Sequence, residues 1–299
     1  MNQSTRQEDE TKCVRCGRRV PFITLAGNLS LGAIKTIAGL LSGSVGLTVD
    51  GFHSMADGIG TIFVLASLRI SEKPRDVTHP FGHGKVEFMA SLAVFTVLFG
   101  VGVIFFIEST AFLIIGRDQA PNMLAFLVAM VSVIANYIML NFNLCSGKRL
   151  NSPALIANGH ENLTDLVSSI PVGFGVLAAQ FGYYFCDPLA GALVAIFIMV
   201  NATREWWQSL NNLMDRAAPF ATRKKIHAAA ASVDGVSGTG RIRTRRVGSN
   251  LWIDLDILVS PRCSVKAASR IADEVRGLLL RKSKHVEDVL VYYYANIVS

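Results

Sequence analysis

The sequence is poor in charge. Only 17% of its 299 residues are Asp, Glu, Lys or Arg, against roughly 25% in an ordinary soluble domain. It also lacks a disulfide framework. The five cysteines (13, 16, 145, 186 and 263) are an odd number, and only Cys13 and Cys16 are neighbours. That pattern suits polar segments held in a reducing compartment. No short apolar stretch near the start leads to a cleavage site. A removable signal peptide is therefore not expected, and the first span itself serves as the insertion signal. Catalytic signatures are missing too, with no nucleophile elbow and no phosphate loop. His160-Glu161 begins like the metalloprotease helix motif, but that motif needs a histidine where Thr164 stands. The chain is not expected to be an enzyme.

What the chain has in quantity is long apolar runs. Hydrophobic residues make up 51% of it, gathered into six candidate spans at about 20–42, 45–68, 87–114, 121–145, 152–181 and 184–203. Each can cross a hydrocarbon core of roughly 30 Å as a helix. The predicted organisation is a polar N-terminal segment (1–19), a six-helix membrane domain (20–212) and a C-terminal domain (213–299).

The net charge of +7 invites a nucleic-acid reading, but its distribution favours a membrane. Of the 29 Lys and Arg residues, Arg117 alone falls in the first, third or fifth inter-span loop, those that would face outward, and Lys35 lies within a span. All the others precede the first span, follow the sixth, or lie in the alternate loops (Arg69, Lys73, Arg75, Lys85, Lys148, Arg149). The positive-inside rule then places both termini in the cytoplasm. The partners expected are a lipid bilayer and small cations, with no nucleic acid.

Charged groups inside a bilayer are costly and face the bundle interior, which marks each as a functional candidate. The second span carries Asp50, His53 and Asp57, and the fifth carries Asn158, His160, Glu161 and Asp165. His53 and Asp57 are four apart and share a helix face, as do Glu161 and Asp165. His160 is five from Asp165, on a different face. Two helices that each offer an i, i+4 pair make a four-ligand metal site: His53, Asp57, Glu161 and Asp165. The alternative is that these groups only tie helices together by hydrogen bonds. Asp50 and Asn158 each lie seven residues before an aspartate of the quartet and read as supporting or pathway groups. Lys35 and Glu108 read as interior charge partners or interfacial groups.

These residues carry a family resemblance. Ser42-Gly-Ser-Val-Gly-Leu-Thr-Val-Asp50-Gly-Phe-His53-Ser-Met-Ala-Asp57 resembles the second helix of the cation diffusion facilitator family. The loop Lys73-Pro-Arg-Asp76-Val-Thr-His79-Pro-Phe-Gly-His83-Gly-Lys85 and the stretch Asn151 to Asp165 are similar to its other motifs, as are Asp187-Pro188 and Leu213-Met-Asp215-Arg216. Within the family, Cys13-Val-Arg-Cys16 and Ile156-Ala-Asn158 look most like the magnetosome branch of iron-supplying members. The resemblance implies a homodimer of six-helix bundles with ferredoxin-like cytoplasmic domains, exporting divalent metal in exchange for protons. A related family member as heterodimer partner is a further expectation. It implies a membrane that is either the bacterial inner membrane or that of the magnetosome.

The resemblance also implies an intramembrane metal site at His53, Asp57, Glu161 and Asp165. A second, interfacial site would use Asp76, His79 and His83, and Lys85 with Asp215 would form a charge interlock. Zinc-carrying members usually have histidine where Glu161 stands. One nitrogen and three carboxylates make a harder site, better suited to Fe²⁺ or Mn²⁺, although intrinsic affinity still favours Zn²⁺. The expected cargo order is Fe²⁺ before Zn²⁺ or Mn²⁺, with no resident cofactor. Cys13 and Cys16 have the spacing of half a metal site.

Beyond residue 212 the periodicity changes. Residues 222–233 read as a helix, 241–247 and 251–259 as strands around a turn, 265–279 as a helix stepping by 3 and 4, and 289–294 as a last strand. The order is αββαβ. Pairing around the turn sets Arg243 and Arg241 opposite Asp254 and Asp256. The family's metal-sensing positions read Asp256, Ser269 and Tyr292 here, so the domain is expected to serve mainly in dimerisation. The leading functional expectation is a divalent-cation transporter. The competing one is a transporter-like scaffold or metal receptor that recruits partners without transport.

Overall fold

A computed structural model describes residues 20–116, 119–149, 153–248, 250–282 and 286–296. The N-terminal segment 1–19, with Cys13 and Cys16, lies outside the described residues. Among the described residues, six helices are long and apolar enough to cross a membrane: α1 (Val20–Ser42), α2 (Val45–Ser71), α3 (Val86–Ile115), α4 (Met123–Arg149), α5 (Pro153–Gln180) and α6 (Cys186–Leu213). The sequence expectation holds for each. The bounds differ most at the C-terminal ends of α2, α4 and α6, which continue as helix past the apolar run. A hydropathy pattern marks where lipid ends, not where helical hydrogen bonding ends.

The chain divides into two compact units: Met1–Phe63 with Val94–Arg204, and Val64–Ala93 with Glu205–Ser299. In the first unit, buried aliphatic residues of α2 (Leu47, Val49), α5 (Val172, Val176) and α6 (Val194, Ile198) form the core, with Ala125 and Ala129 of α4. Helices α1 and α2 approach each other through glycine. A methyl group on Gly32 would meet the backbone of Met55, one on Gly39 the backbone of Thr48, and one on Gly51 the backbone of Thr36. Small residues that let backbones close up are the usual basis of helix association in lipid. Helix α5 contains Pro171, which has no N–H to give to the carbonyl of Val167.

One end of this bundle is pinned by hydrogen bonds between helix ends. The Asp187 carboxylate, in the first turn of α6, accepts from Ser44 Oγ at 2.5 Å, Val45 N at 2.9 Å and Gly46 N at 3.3 Å. It thereby caps the orphan donors at the N-terminus of α2. Asn122 N donates to Ser42 O at 2.9 Å, and Gln180 Nε2 to Pro121 O at 2.5 Å. At this turn end of the bundle α1 passes into α2 and α6 begins.

The second unit contains α7 (Phe220–Ala231), β1 (Val236–Val247), β2 (Asn250–Val259), α8 (Val265–Lys282) and β3 (Val286–Ala295). The sheet order is β1-β2-β3, with β1 antiparallel and β3 parallel to β2. The parallel pair requires a crossover, which α8 supplies. Ile253, Leu255 and Ile257 alternate onto one sheet face and bury against Ala268, Ala272, Val275 and Leu279 of α8 and Ile226 and Ala230 of α7. The expected αββαβ ferredoxin-like domain is present. Strand β1 starts earlier than expected because Gly238 and Gly240 hide it from a propensity reading. Arg243 faces Asp254 as predicted. Gly240 and Arg241 together oppose Asp256, one extra residue that makes a bulge, and Arg241 Nε still lies 3.5 Å from the Asp256 carboxylate.

A single cut near residue 212 does not describe this division. Val64–Ala93, comprising the end of α2, the following loop and the start of α3, packs with the C-terminal elements. Arg75 Nη2 donates to Glu287 Oε1 at 2.7 Å, and its guanidinium lies 4.6 Å from the Trp252 ring centroid. Arg245 stacks over Phe81 at 4.7 Å and Trp252 at 5.1 Å. Two arginines and two aromatic rings thus hold the loop to β1 and β2.

Candidate metal centre

Helices α2 and α5 bring His53, Asp57 and Asp165 together, with one ligand atom from each lying within 4.8 Å of the others. His53 Nδ1 is 3.4 Å from Asp57 Oδ2, one turn along α2, and His53 Nε2 is 3.8 Å from Asp165 Oδ1 across the helix interface. The His53 and Asp165 side chains are 3% and 2% exposed. Phe197 of α6 closes over the imidazole edge-on, with ring centroids 6.4 Å apart. Both His53 ring nitrogens and Asp165 Oδ1 are buried without a hydrogen-bond partner among the described residues. Buried polar atoms are ordinarily paired. A cation between His53, Asp57 and Asp165 would satisfy one imidazole nitrogen and the aspartate oxygens, since a neutral imidazole offers a single lone pair.

The expected quartet is a triad in this structure. Glu161 is half-buried one turn before Asp165. It is near enough to interact electrostatically with Asp57, Asp165 and His53, but it does not join the 4.8 Å group. Its longer side chain and the like charge of the two aspartates account for the difference. His160 is exposed, in keeping with its different helix face. The Asn158 backbone carbonyl accepts from Asn162 Nδ2 at 2.9 Å.

Asp50, expected as a supporting or pathway group, lies in a buried ion pair. Its carboxylate is paired with Lys35 at 2.9 Å, both side chains being fully buried, and it accepts from Ser168 Oγ at 2.9 Å and Ser169 Oγ at 2.7 Å. Lys35 also donates to Ser54 Oγ and Ser169 Oγ. Both charges were visible in the sequence. Their equal depth, each about two turns from the turn end, was the signal that could have paired them. Glu108 is exposed on α3.

Asp76, His79 and His83 form a second group within the same distance limit. His79 Nδ1 is 3.2 Å and His83 Nε2 is 3.4 Å from the Asp76 carboxylate, and the two imidazole centroids are 4.4 Å apart. The hydroxyl of Thr78 and the backbone N–H of His79 donate to Asp76. Those hydrogen bonds, opposed by slight desolvation, hold its carboxyl at a pKa of about 2. Lys85 Nζ lies 2.9 Å from Asp215 Oδ1 and donates to Leu213 O at 3.2 Å. Asp215 has a left-handed backbone (φ 59°) that ends α6. The Asp187 staple and the Arg75–Trp252–Arg245–Phe81 stack were not foreseen. Each joins residues far apart in sequence, which no local pattern reports.

A bundle of six apolar helices with a buried histidine–aspartate group between two of them defines an integral membrane protein with a candidate cation-binding centre. Residues 22–214 match the cation efflux transmembrane domain, and residues 218–293 match the cytoplasmic domain of cation efflux proteins. The chain belongs to the cation efflux, or cation diffusion facilitator, family of metal transporters and is a multi-pass membrane protein. It is 33% identical to the magnetosome protein MamB of Magnetospira sp. (strain QH-2) over 279 residues, covering 93% of this chain and 95% of that one. It is 32% identical to the manganese efflux system protein MneP of Bacillus subtilis (strain 168) over 282 residues, covering 92% of this chain and 95% of that one. A solved structure of the MamM CTD matches at 33% identity with a TM-score of 0.25, covering 25% of this chain and 93% of that one.

Proposed function

We propose that the chain exports a divalent transition-metal ion from the cytoplasm in exchange for protons, with Fe²⁺ favoured and Mn²⁺ and Zn²⁺ as alternative cargo. The observation that carries this reading is the meeting of His53, Asp57 and Asp165 between α2 and α5. Glu161 completes the ligand set by a side-chain rotation when a dication offsets the repulsion between carboxylates. Three carboxylates and one imidazole are harder than a two-histidine site, which supports Fe²⁺ and Mn²⁺. Metal binding to His53 requires its neutral form, so loading releases a proton and unloading takes one up, which couples the two fluxes without a separate proton route. The relatives point in the same direction, one being a manganese efflux protein by name and another a magnetosome protein. Both termini are cytoplasmic, and the C-terminal domain dimerises, with a second copy or a related family member as partner. The membrane is the inner membrane or that of a magnetosome.

Asp76, His79 and His83 act as a capture site. Purified protein in proteoliposomes, tested separately with Fe²⁺, Mn²⁺ and Zn²⁺ under an imposed pH gradient, should show gradient-stimulated flux that is lost in Asp57→Ala and Asp165→Ala. Binding without flux for every ion would favour the scaffold reading instead.

A further inference from the structure

The Lys35–Asp50 pair lies on the turn-end side of the metal group in all three helices that build it. On α2, Asp50 is one turn nearer that end than His53. On α5, Ser168 and Ser169 are one turn nearer it than Asp165. On α1, Lys35 reaches both. The layer leaves no charged or hydroxyl group idle, since every one of these side chains bonds across a helix interface. Between the metal group and the turn end it places a fully buried ion pair.

Two further features adjoin this layer. Pro171 leaves the Val167 carbonyl of α5 without its helical hydrogen bond, at the level of Ser168 and Ser169. Beyond the layer, a cavity of about 130 Å³ lies between α1, α2 and α3, lined by Ser44, Thr48 and Glu108. A dication leaving the metal group towards this end meets Asp50 as the next carboxylate, and Lys35 already occupies it.

Resting on the transport reading, we propose that Lys35 and Asp50 form a counter-ion gate. Lys35 holds Asp50 while the path is closed, and the departing metal ion displaces the ammonium from Asp50 as it passes towards the turn end. The dication brings one more positive charge to the carboxylate than the ammonium it displaces, and Lys35 keeps its hydrogen bonds to Ser54 Oγ and Ser169 Oγ. Asp50 is then a transient ligand of the exit path, distinct from the residues that hold the ion at rest.

The test is the neutral pair Lys35→Met with Asp50→Asn in the full chain, using Mn²⁺ alone as probe. Exchanging a buried ion pair for a neutral one is often tolerated. It also leaves the net charge near the metal group unchanged, so the Mn²⁺ dissociation constant in detergent should stay within about threefold of wild type. Flux in proteoliposomes should fall about tenfold or more, the worth of one lost charge-assisted contact in transit. Binding and flux both near wild type would overturn the gate while leaving transport intact. Loss of both in a protein that melts normally would also overturn it, since the pair would then organise the metal group itself. Absence of flux in wild type would overturn the transport reading and the gate with it. Should the double variant not fold, Ser169→Ala serves. It keeps both charges but removes a hydrogen bond from each, and it should raise or lower maximal flux at unchanged Mn²⁺ affinity. No change in either quantity would overturn the proposal.

Discussion

Two glycine-to-alanine substitutions in membrane helices should act with opposite sign. At Gly51 an added Cβ would lie 2.4 Å from Thr36 N, 2.6 Å from Thr36 Oγ1 and 2.9 Å from the Lys35 carbonyl carbon. Ordinary contact begins at 3.4 Å, so α1 and α2 must separate locally by about 1 Å, and the obstacle is backbone that cannot rotate away. Overpacking of this kind costs about 1–3 kcal/mol, while alanine returns about 0.5–1 kcal/mol of helix propensity. The net loss is about 0.5–2 kcal/mol, or roughly 2–6 °C in Tm for a domain of this size. At Gly100, in α3, nothing lies within 4 Å of the added Cβ, so only the propensity gain remains and Tm should hold or rise by up to about 3 °C. The assay is thermal unfolding of both variants in one detergent. Gly51→Ala should also lower metal flux, because Gly51 and Thr36 adjoin Asp50 and Lys35 and the 2.9 Å ion pair would be stretched. A Gly51→Ala protein as stable as wild type, or both variants shifting alike, would refute the close-packing account of α1 and α2.

Glu161→His should move selectivity towards Zn²⁺ by exchanging a carboxylate oxygen for an imidazole nitrogen, and unchanged ratios in matched flux assays would remove residue 161 from the ligand set. The low pKa of Asp76 keeps it ionised from neutral pH down to about 2. The turn it anchors is therefore fully held above the ordinary carboxylate range and loosens only as pH falls through about 2. Asp76→Asn should accordingly weaken Mn²⁺ binding at the loop throughout pH 5 to 8, where the carboxylate is ionised, and binding equal to wild type in calorimetry would count against this. Trp252→Ala removes a side chain only 5% exposed and stacked by Arg75 and Arg245, so it should cost about 3–5 kcal/mol in the C-terminal unit, measured as the midpoint of its melting in the full chain. Cys263 should react with a membrane-impermeant thiol reagent from the cytoplasmic face only, and labelling from the opposite face alone would invert the topology.

The helices and the αββαβ domain were legible because lipid and a one-sided sheet impose simple periods on a sequence. Six runs of sufficient length could be little else, and the alternation of Ile253, Leu255 and Ile257 fixed which face of β2 was inward. The i, i+4 spacing was enough to set His53 against Asp57 and to exclude His160. It could not show that Glu161 stands apart from Asp165, because spacing gives the face and not the reach of a side chain. It also could not pair Lys35 with Asp50. Helix spacing orders residues along one helix, whereas that pair depends on how α1 and α2 approach through Gly32, Gly39 and Gly51. For the same reason the docking of the 71–85 loop on Trp252 was not legible.

The two histidine–carboxylate groups share their chemistry and differ in solvation, and solvation suits them to different tasks. Asp76 and His79 are about half exposed, at 49% and 56%, so a cation there keeps part of its water shell and meets charges screened by solvent. Such a site exchanges quickly and selects weakly. His53 and Asp165 are almost wholly buried, where the same charges act through a far lower dielectric. A cation must give up its water to bind there, and only one whose coordination preferences match the ligands recovers that cost. On the transport reading, selectivity therefore belongs to the buried group. A buried site that binds its ion tightly must also be able to release it. The charge that would draw the ion onward is Asp50, already neutralised by Lys35 at the same depth. An unpaired carboxylate there would bind the ion a second time and retain it, whereas a carboxylate with its own resident cation offers only a passing contact, as conduction between neighbouring sites requires.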